Sequence, residues 1–255
     1  MKSDRVTSIR RHLFTQGYSS VAEIAEAVGA SEPTVRRDLI EMEAQGLVAR
    51  SHGGARIAEG AGEVAFETRE QINLAAKRAI GEAAFQRLVP DTAVFLDAGT
   101  TVLQLARRLR LAPMPLKLFT NCLAVAQLLL PVPAVSVTLL GGTLRPQNAS
   151  LVGPLAEEAL GRLWFDQVFL GAGALSAEGE ISSADGQEAR LNAQMLGRGA
   201  RVTVLADAAK FGTRLTWSVG RIGPGMTVIS DGALSADWRA RLGDWGAELA
   251  LAEAA

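Results

Sequence analysis

The chain has 255 residues, of which 48% are hydrophobic and 21% are charged, and its formal net charge is -1. That length suits one or two domains with a buried core, and the near-zero charge excludes a uniformly basic nucleic-acid binder, so any DNA contact must come from a local group of basic residues. The single cysteine excludes an intrachain disulfide framework, and with no export signal and no apolar run long enough for a bilayer the sequence predicts a cytoplasmic protein without membrane contact.

Two short helices are predicted at the start of the chain. Apolar residues recur at helical spacing over residues 4–16, and Gly17 is placed to end that helix. Ser20 and Glu23 have the spacing of a capping box, which opens a second helix that ends at Gly29. The two helices are therefore separated by a tight turn.

A third helix follows, with Ser31 as its predicted cap and Gly46 as its predicted end. At 100° per residue Val35, Leu39 and Met42 form one buried stripe. Three short helices in this order predict a helix-turn-helix, whose third helix enters the major groove of DNA by its N-terminal end.

Two short strands around a glycine turn come next. Residues 47–50 and 55–57 are apolar or β-branched runs on either side of a Ser-His-Gly-Gly segment, which predicts the wing of a winged helix. Small residues then mark a boundary. We therefore predict a winged helix-turn-helix domain over residues 1–57, a linker over residues 58–65 and a larger domain over residues 66–255.

The start of the third helix carries the side chains that are placed to reach DNA. These are Ser31, Thr34, Arg36 and Arg37. The planar donor fork of arginine suits guanine edges and phosphate oxygens alike. An alternative is that Arg36 and Arg37 only solvate the helix and pair with Asp38 or Glu41. The helix order and the wing favour DNA contact.

The larger domain alternates apolar runs with helical patterns, which predicts an α/β domain with a mostly parallel sheet. The predicted strands comprise residues 94–96, 116–119, 135–140, 168–170, 202–205 and 228–230. Ligands bind beyond the carboxyl ends of the strands in such sheets. The residues that follow each strand are therefore the candidate site.

The residues after the first of these strands are Asp97, Ala98, Gly99, Thr100 and Thr101, and a helix is predicted to begin near Val102. A glycine and two hydroxyls at a helix N-terminus favour an anion such as phosphate. An ordinary strand-to-helix turn with a threonine cap explains the same segment equally well.

Small and polar residues also follow the other strands, and these favour a ligand site over an ordinary turn. They are Thr120, Asn121, Gly141, Gly142, Gly171, Gly173, Asp207 and Lys210. Glycines let a ligand approach the backbone, amide and carboxylate groups bind sugar hydroxyls, and a lysine neutralises phosphate. Lys77, on the helix before the first of these strands, is a second candidate cation.

The third helix and the wing resemble the DeoR family of bacterial transcription repressors. The resemblance is carried by Ser31, Thr34, Val35, Arg36, Arg37, Asp38, Leu39, Gly46, Leu47, Arg50, His52, Gly53, Gly54 and Ala55. It implies that Thr34, Arg36 and Arg37 contact operator DNA, and that Arg50 and His52 contact phosphate or the adjacent groove. By itself His52 is more typical of a structural or solvated histidine.

The larger domain resembles the sensor domain of that family, which is itself similar to the ribose-phosphate isomerase fold. The matching positions are Lys77, Asp97, Ala98, Gly99, Thr100, Thr101, Thr120, Asn121, Gly141, Gly142, Arg145, Gly171, Asp207 and Lys210. The resemblance implies a phosphorylated sugar or a related intermediate as effector. It is weaker around Asp185 and Glu188, which we assign to the far end of the ligand.

The sequence thus predicts a repressor of a carbohydrate-metabolism operon. Double-stranded operators usually contain two half-sites, so a homodimer or homotetramer is expected. The alternative is an isomerase-like enzyme, in which Asp185 and Glu188 act as paired carboxylates in an aldose-ketose proton transfer. Because both histidines, His12 and His52, lie in the predicted DNA-binding domain and no fingerprint glycine follows Gly173, we predict no metal and no cofactor.

Overall fold

A computed structural model describes residues 2–44, 47–51, 53–57 and 66–253. The predicted helix end at Gly46, the wing residue His52 and the predicted linker 58–65 lie outside these ranges. By its internal contacts the chain divides into two compact units, Met1–Ile72 and Asn73–Ala255. The predicted boundaries at residues 57 and 66 remain predictions.

The first unit contains the three predicted helices and the two predicted wing strands. Its elements are α1 (Lys2–Gln16), β1 (Ser19–Ser20), α2 (Val21–Val28), α3 (Glu32–Ala44), β2 (Val48–Ser51), β3 (Gly54–Ile57) and α4 (Phe66–Gln71). The predicted capping box is confirmed, because the Ser20 side chain accepts from the Glu23 N–H and the Glu23 side chain accepts from the Ser20 N–H. Gly29 ends α2 in the left-handed region, at φ 63°.

The strands of the first unit form a small antiparallel sheet in the order β1-β3-β2. Gly53 connects the wing strands at φ 81°, a conformation that glycine adopts without strain. Under this sheet and between the helices lies a separate apolar core, to which Ile9, Leu13, Val35 and Leu39 contribute fully buried side chains. The predicted winged helix-turn-helix is therefore confirmed.

The second unit is an α/β domain. Its helices are α5 (Leu74–Phe85), α6 (Thr100–Leu111), α7 (Leu123–Leu129), α8 (Pro154–Gly161), α9 (Gly186–Leu196) and α10 (Ala236–Asp244). Its strands are β4 (Thr92–Leu96), β5 (Leu116–Thr120), β6 (Val135–Leu139), β7 (Thr143–Arg145), β8 (Ser150–Val152), β9 (Phe165–Gly171), β10 (Ala174–Leu175), β11 (Glu180–Ser183), β12 (Gly199–Leu205), β13 (Trp217–Arg221), β14 (Met226–Asp231) and β15 (Glu248–Ala252).

Seven parallel strands form the main sheet, in the order β15-β14-β12-β9-β4-β5-β6. The chain first runs outward from β4 through β5 to β6, and then returns to β9 on the other side of β4. The strand order therefore reverses between β4 and β9. Crevices for ligands open at the carboxyl ends of the strands where such a reversal occurs.

All six predicted strands of this sheet are confirmed, and the seventh strand, β15, was not predicted. The antiparallel hairpin of β7 and β8 and the three-stranded sheet β10-β11-β13 were not predicted either. The helix predicted to begin near Val102 begins two residues earlier, at Thr100. Within the described ranges, no helix combines the length and apolar character required to cross a bilayer.

Candidate functional site

The outer face of α3 carries the side chains predicted to reach DNA. Val35 and Leu39 are buried, whereas Ser31, Arg36 and Arg37 are exposed and Thr34 is half-buried. The hydroxyl oxygens of Ser31 and Thr34 are 2.9 Å apart. These two hydroxyls and the two guanidinium groups therefore stand at the first turns of one helix.

The two arginines of this face differ in their surroundings. Arg36 forms an ion pair with Glu32 one turn earlier, at 2.9 Å. For Arg37 no ion pair is found within the described part of the chain. Of the two arginines on α3, Arg36 is therefore the one that pairs with an acidic side chain of the same helix.

Asp38 contacts neither of those arginines, although the alternative interpretation paired it with them. Its carboxylate, 3% exposed, accepts from Arg5 on α1, with Arg5 Nε at 2.6 Å and a second guanidinium nitrogen at 3.2 Å. A buried carboxylate with a two-point guanidinium partner fixes both distance and angle. The pair therefore holds α3, the helix predicted to enter the major groove, against α1.

In the wing, the described candidate is Arg50. Its guanidinium lies 3.4 Å from the Glu43 carboxylate at the end of α3, and its backbone N–H donates to the same side chain at 3.3 Å. Gly54 leaves room for the ring of Tyr18, because a Cβ atom there would overlap the Tyr18 hydroxyl. These contacts tie the wing to the helices.

In the second unit, Asp97 lies at the reversal of the sheet. Its carboxylate accepts from the Gly171 N–H, at the end of β9, over 3.1 Å, and from the Asn121 side chain, which follows β5. Burial and the nearby Glu188 carboxylate raise the pKa of Asp97 to about 7, against these hydrogen bonds, which lower it. Asp97 thus joins the ends of three neighbouring strands.

The N-terminus of α6 follows this carboxylate in the chain. Gly99 precedes the helix in an extended conformation and, as a glycine, provides no side-chain cap. Thr100 and Thr101 are buried in the first turn. A methyl group at Gly99 would lie 3.7 Å from the Gly171 Cα, so the backbones of these two segments approach closely. Uncapped N–H groups and the helix dipole attract an anion.

A second polar cluster surrounds Arg145, at the end of β7. Its guanidinium lies 3.2 Å from Asp185 and 3.0 Å from Glu188. The same Glu188 oxygen also accepts from Asn148 Nδ2 at 2.7 Å and from the Ser150 hydroxyl at 2.8 Å. Asp185 caps α9 by accepting from two backbone N–H groups. The Arg145 guanidinium therefore pairs with both carboxylates.

Asn148 links this cluster to the Asp97 segment, since its Nδ2 also donates to the Ala98 carbonyl at 2.9 Å. Burial raises the pKa of Asp185, but the Glu188 N–H and Arg145 outweigh it, so that the pKa lies below its usual value. Asn148 and Ser150 were not predicted as site residues. Only their place in the hairpin with Arg145 brings them to Glu188.

A third polar group follows the end of β12. Asp207 is buried and accepts from Asn73 Nδ2 at 3.1 Å, and Asn73 in turn precedes α5, the helix that carries the buried Lys77. Lys210 is half-exposed in the short helical turn after Asp207. The two candidate lysines thus belong to neighbouring segments around Asp207.

Of the remaining candidates, Thr120 and Gly142 have structural contacts, and Gly141 has none at its Cβ position. The Thr120 hydroxyl accepts from the Cys122 N–H at 3.0 Å. Gly142 adopts φ 133°, and a Cβ atom there would lie 2.6 Å from the Val152 carbonyl oxygen, so only glycine suits the approach of β7 and β8. Gly141 is exposed, with open space where a Cβ atom would stand.

Comparison with known domains decides the family. The DeoR-like helix-turn-helix domain matches residues 5–60, and the DeoR C-terminal sensor domain matches residues 72–232. The chain belongs to the DeoR family of transcriptional regulators. The predicted DNA-binding transcription regulator is therefore confirmed.

Individual relatives of this DeoR-family regulator cover most of its length. It is 38% identical over 221 residues to the HTH-type transcriptional regulator GlpR of Haloferax volcanii, a match that spans 86% of each chain. It is 28% identical over 216 residues to the glycerol-3-phosphate regulon repressor of Escherichia coli, across 85% of each. The structure of ribose 5-phosphate isomerase a from Methanocaldococcus jannaschii is 14% identical over 53% of each chain, with a TM-score of 0.38.

The fold of this DeoR-family regulator gathers part of the predicted ligand site. Direct hydrogen bonds or ion pairs join Asp97 to Gly171 and Asn121, and Arg145 to Asp185 and Glu188. Their role in binding an effector stays a prediction, as do those of Lys77, Asp207 and Lys210. Over the described ranges, no group of three or more His, Cys, Asp or Glu side chains is arranged to hold a metal ion.

Proposed function

We propose that this DeoR-family regulator is a cytoplasmic repressor that binds double-stranded operator DNA of a carbohydrate-metabolism operon and responds to a phosphorylated sugar or related intermediate. The DNA contacts are assigned to Ser31, Thr34, Arg36, Arg37, Arg50 and His52. A helix face that carries two arginines and is held on its own apolar core can enter the major groove.

The observation that carries the effector proposal is the position of the α6 N-terminus, with glycine as its cap residue, at the strand reversal. The backbones of Gly99 and Gly171 approach each other closely there, beside the Val102 side chain. The first-turn N–H groups of α6 have no side-chain cap, so a phosphate can bind them and gain from the helix dipole. Strand reversals in parallel sheets are also where ligands bind.

The residues around this opening suit the rest of a sugar phosphate. Asp97 accepts from the Gly171 N–H and from the Asn121 side chain, and carboxylate and amide groups can both bind hydroxyls. Lys77 and Lys210 supply positive charge from the segments next to Asp207. The name of one relative, the glycerol-3-phosphate regulon repressor, agrees with a phosphorylated effector.

The arrangement around Arg145 favours binding without turnover. A general acid or base needs a proton-accepting oxygen that reaches the substrate, whereas the contacted Glu188 oxygen already accepts from Arg145, Asn148 and Ser150. Asp185 is engaged by the backbone of α9 and by Arg145. We therefore propose that both carboxylates stabilise the sensor domain and take no part in a proton transfer.

Regulation then requires at least two copies of the chain. Two half-sites about one helical turn apart are read by a symmetric dimer, so we propose a homodimer or homotetramer. Effector binding acts on repression by favouring one arrangement of the copies over another.

A thermal-shift screen tests this function. The four tryptophans, Trp164, Trp217, Trp238 and Trp245, all lie in the second unit, so their fluorescence reports its unfolding alone. A sugar phosphate that binds the native state raises the unfolding temperature by mass action. The shift should disappear in Thr100→Ala and Lys210→Ala and persist in Lys117→Ala, an exposed lysine on β5. No shift with any sugar phosphate contradicts the proposal.

A further inference from the structure

The strand β6 is an open edge of the seven-stranded sheet. It stands last in the strand order, and among the described strands it pairs with β5 alone. Ser136, Thr138 and Leu139 are exposed and Val137 is half-buried, so solvent reaches most of this strand. An edge of this kind offers unpaired backbone N–H and C=O groups to a further strand.

The outward backbone groups of β6 belong to alternate residues. The Ala134 carbonyl accepts from the Leu116 N–H at the start of β5, and the Leu140 N–H donates to the Thr120 carbonyl at its end. The N–H and C=O groups of one strand residue point to the same side, and that side alternates along the strand. Even-numbered residues therefore face β5, and Val137, at the centre of β6, directs its N–H and C=O outward.

The β6 edge lacks the features that usually prevent pairing with another chain. Natural edge strands carry charges, a proline or a bulge, or another element covers them. The β6 sequence Val-Ser-Val-Thr-Leu contains no charge and no proline, and its register with β5 is unbroken. The opposite edge differs, because β15 begins with the exposed Glu248, which pairs with Arg87. Of the two edges, β6 is therefore the one that favours a further strand.

A second copy of the chain fits this edge because the surrounding segment is neutral. Residues 118–144, which include α7 and β6, contain no charged side chain. Equivalent charges meet across a two-fold axis, so a charged edge repels its own copy whereas a neutral edge does not. Leu130, at the end of α7, is 79% exposed, and Leu144, in β7, is 48% exposed. These leucines, on either side of β6 in the chain, add apolar surface that association can bury.

We propose that β6 pairs antiparallel with β6 of a second copy about a two-fold axis at Val137, which joins the main sheets of the two copies. This inference locates the interface of the homo-oligomer in the proposed function and rests on that oligomer. In this register the two Val137 residues exchange N–H···O=C bonds. Ser136 then lies opposite the partner's Thr138, in a non-hydrogen-bonded pair whose side chains approach closely.

Charge pairs at Ser136 and Thr138 test both the interface and its register. In the double variant Ser136→Glu, Thr138→Glu each new carboxylate faces a carboxylate of the second copy, so the dissociation constant should rise at least about tenfold. In Ser136→Lys, Thr138→Glu each new ammonium faces a carboxylate, so association should stay within about threefold of the wild type. Leu251→Glu, at an exposed position of the opposite edge strand β15, is the control and should associate like the wild type.

Sedimentation velocity of the full chain over a concentration series measures these constants, and far-UV circular dichroism checks the fold of each variant. If the wild type associates and neither double variant changes its association, the interface lies elsewhere and the inference is wrong, while the proposed function stands. Equal weakening in both double variants contradicts the antiparallel register centred on Val137. If the wild type is monomeric at every concentration, the homo-oligomer of the proposed function fails and the inference fails with it.

Discussion

Asp97 accepts a hydrogen bond from the backbone N–H of Gly171 over 3.1 Å, and this bond crosses the place where the parallel sheet reverses its strand order. The carboxylate is 2% exposed and lies near a second buried acid, Glu188. A charged carboxylate in such surroundings lowers the free energy of unfolding unless a ligand or a proton compensates its charge. Residues that cost stability in the free protein are typical of binding sites.

The first prediction concerns stability and pH. The pKa of Asp97 is raised to about 7, above the ordinary value of 3.8, so the folded state holds this proton more tightly than the unfolded chain. The resulting stabilisation is fully present below about pH 4 and is lost as the pH rises to about 7. Asp97→Asn keeps an acceptor for Gly171 and removes the charge.

Asp97→Asn should therefore be more stable than the wild type at pH 8, by up to about 4 kcal/mol in the free energy of unfolding, with the difference shrinking toward pH 4. Urea denaturation followed by tryptophan fluorescence measures this for the second unit. Asp244→Asn, at an exposed carboxylate, is the control. A stability difference that does not change between pH 4 and pH 8 contradicts the prediction.

The second prediction concerns the open end of α6. In Gly99→Ala the added methyl group would have only ordinary contacts, at 3.7 Å to Gly171 and 3.8 Å to Val102, and the extended backbone tolerates alanine. We expect unchanged or slightly higher stability, by about 0.4 to 1 kcal/mol, and unchanged operator binding. The methyl group should nevertheless obstruct the phosphate. A calorimetric titration in which the variant binds a sugar phosphate as well as the wild type would place the anion elsewhere.

The third prediction separates the two arginines of the recognition helix. Arg37→Ala should weaken operator binding by about 1 to 3 kcal/mol and relax discrimination at one base pair. Arg36→Ala is the matched control and should cost less, because Arg36 is already paired with Glu32. Anisotropy titrations against operator variants measure both. Equal losses for the two variants would argue against a base contact by Arg37.

The fourth prediction concerns the pair that holds α3 against α1. Arg5→Ala leaves the 3% exposed Asp38 carboxylate without its guanidinium, which should destabilise the first unit because a buried acceptor then loses its partner. Hydrogen exchange of the α3 amides measures this opening directly. Glu32→Gln, which removes an exposed pair, should have almost no effect. Unchanged α3 exchange in Arg5→Ala would show that packing alone positions the helix.

Local patterns in the sequence were sufficient for most of the fold. The capping box of Ser20 and Glu23, the buried stripe on α3 and six strands of the parallel sheet depend on residues close together in the chain, and each is confirmed. The strand β15 escaped prediction because Glu248–Ala252 contains only alanine, leucine and glutamate, which are not typical strand residues.

Long-range pairing explains what the sequence could not predict in the site. The alternative interpretation of the α3 arginines paired them with Asp38, yet Asp38 pairs with Arg5, 33 positions away. Asn148 meets Glu188 across 40 positions. No periodicity connects such residues, and single polar residues in a hairpin resemble ordinary turn residues. Tertiary packing brings them together.

The most direct test of the account is an anisotropy titration of the full chain against DNA from its own upstream region, at about 50 and 200 mM salt, with and without sugar phosphates. We predict preferential binding to one fragment, an affinity that falls steeply with salt as phosphate contacts require, and a change on addition of at least one sugar phosphate that Gly99→Ala abolishes. Equal, salt-insensitive binding to all fragments, unaffected by every sugar phosphate, would contradict the account.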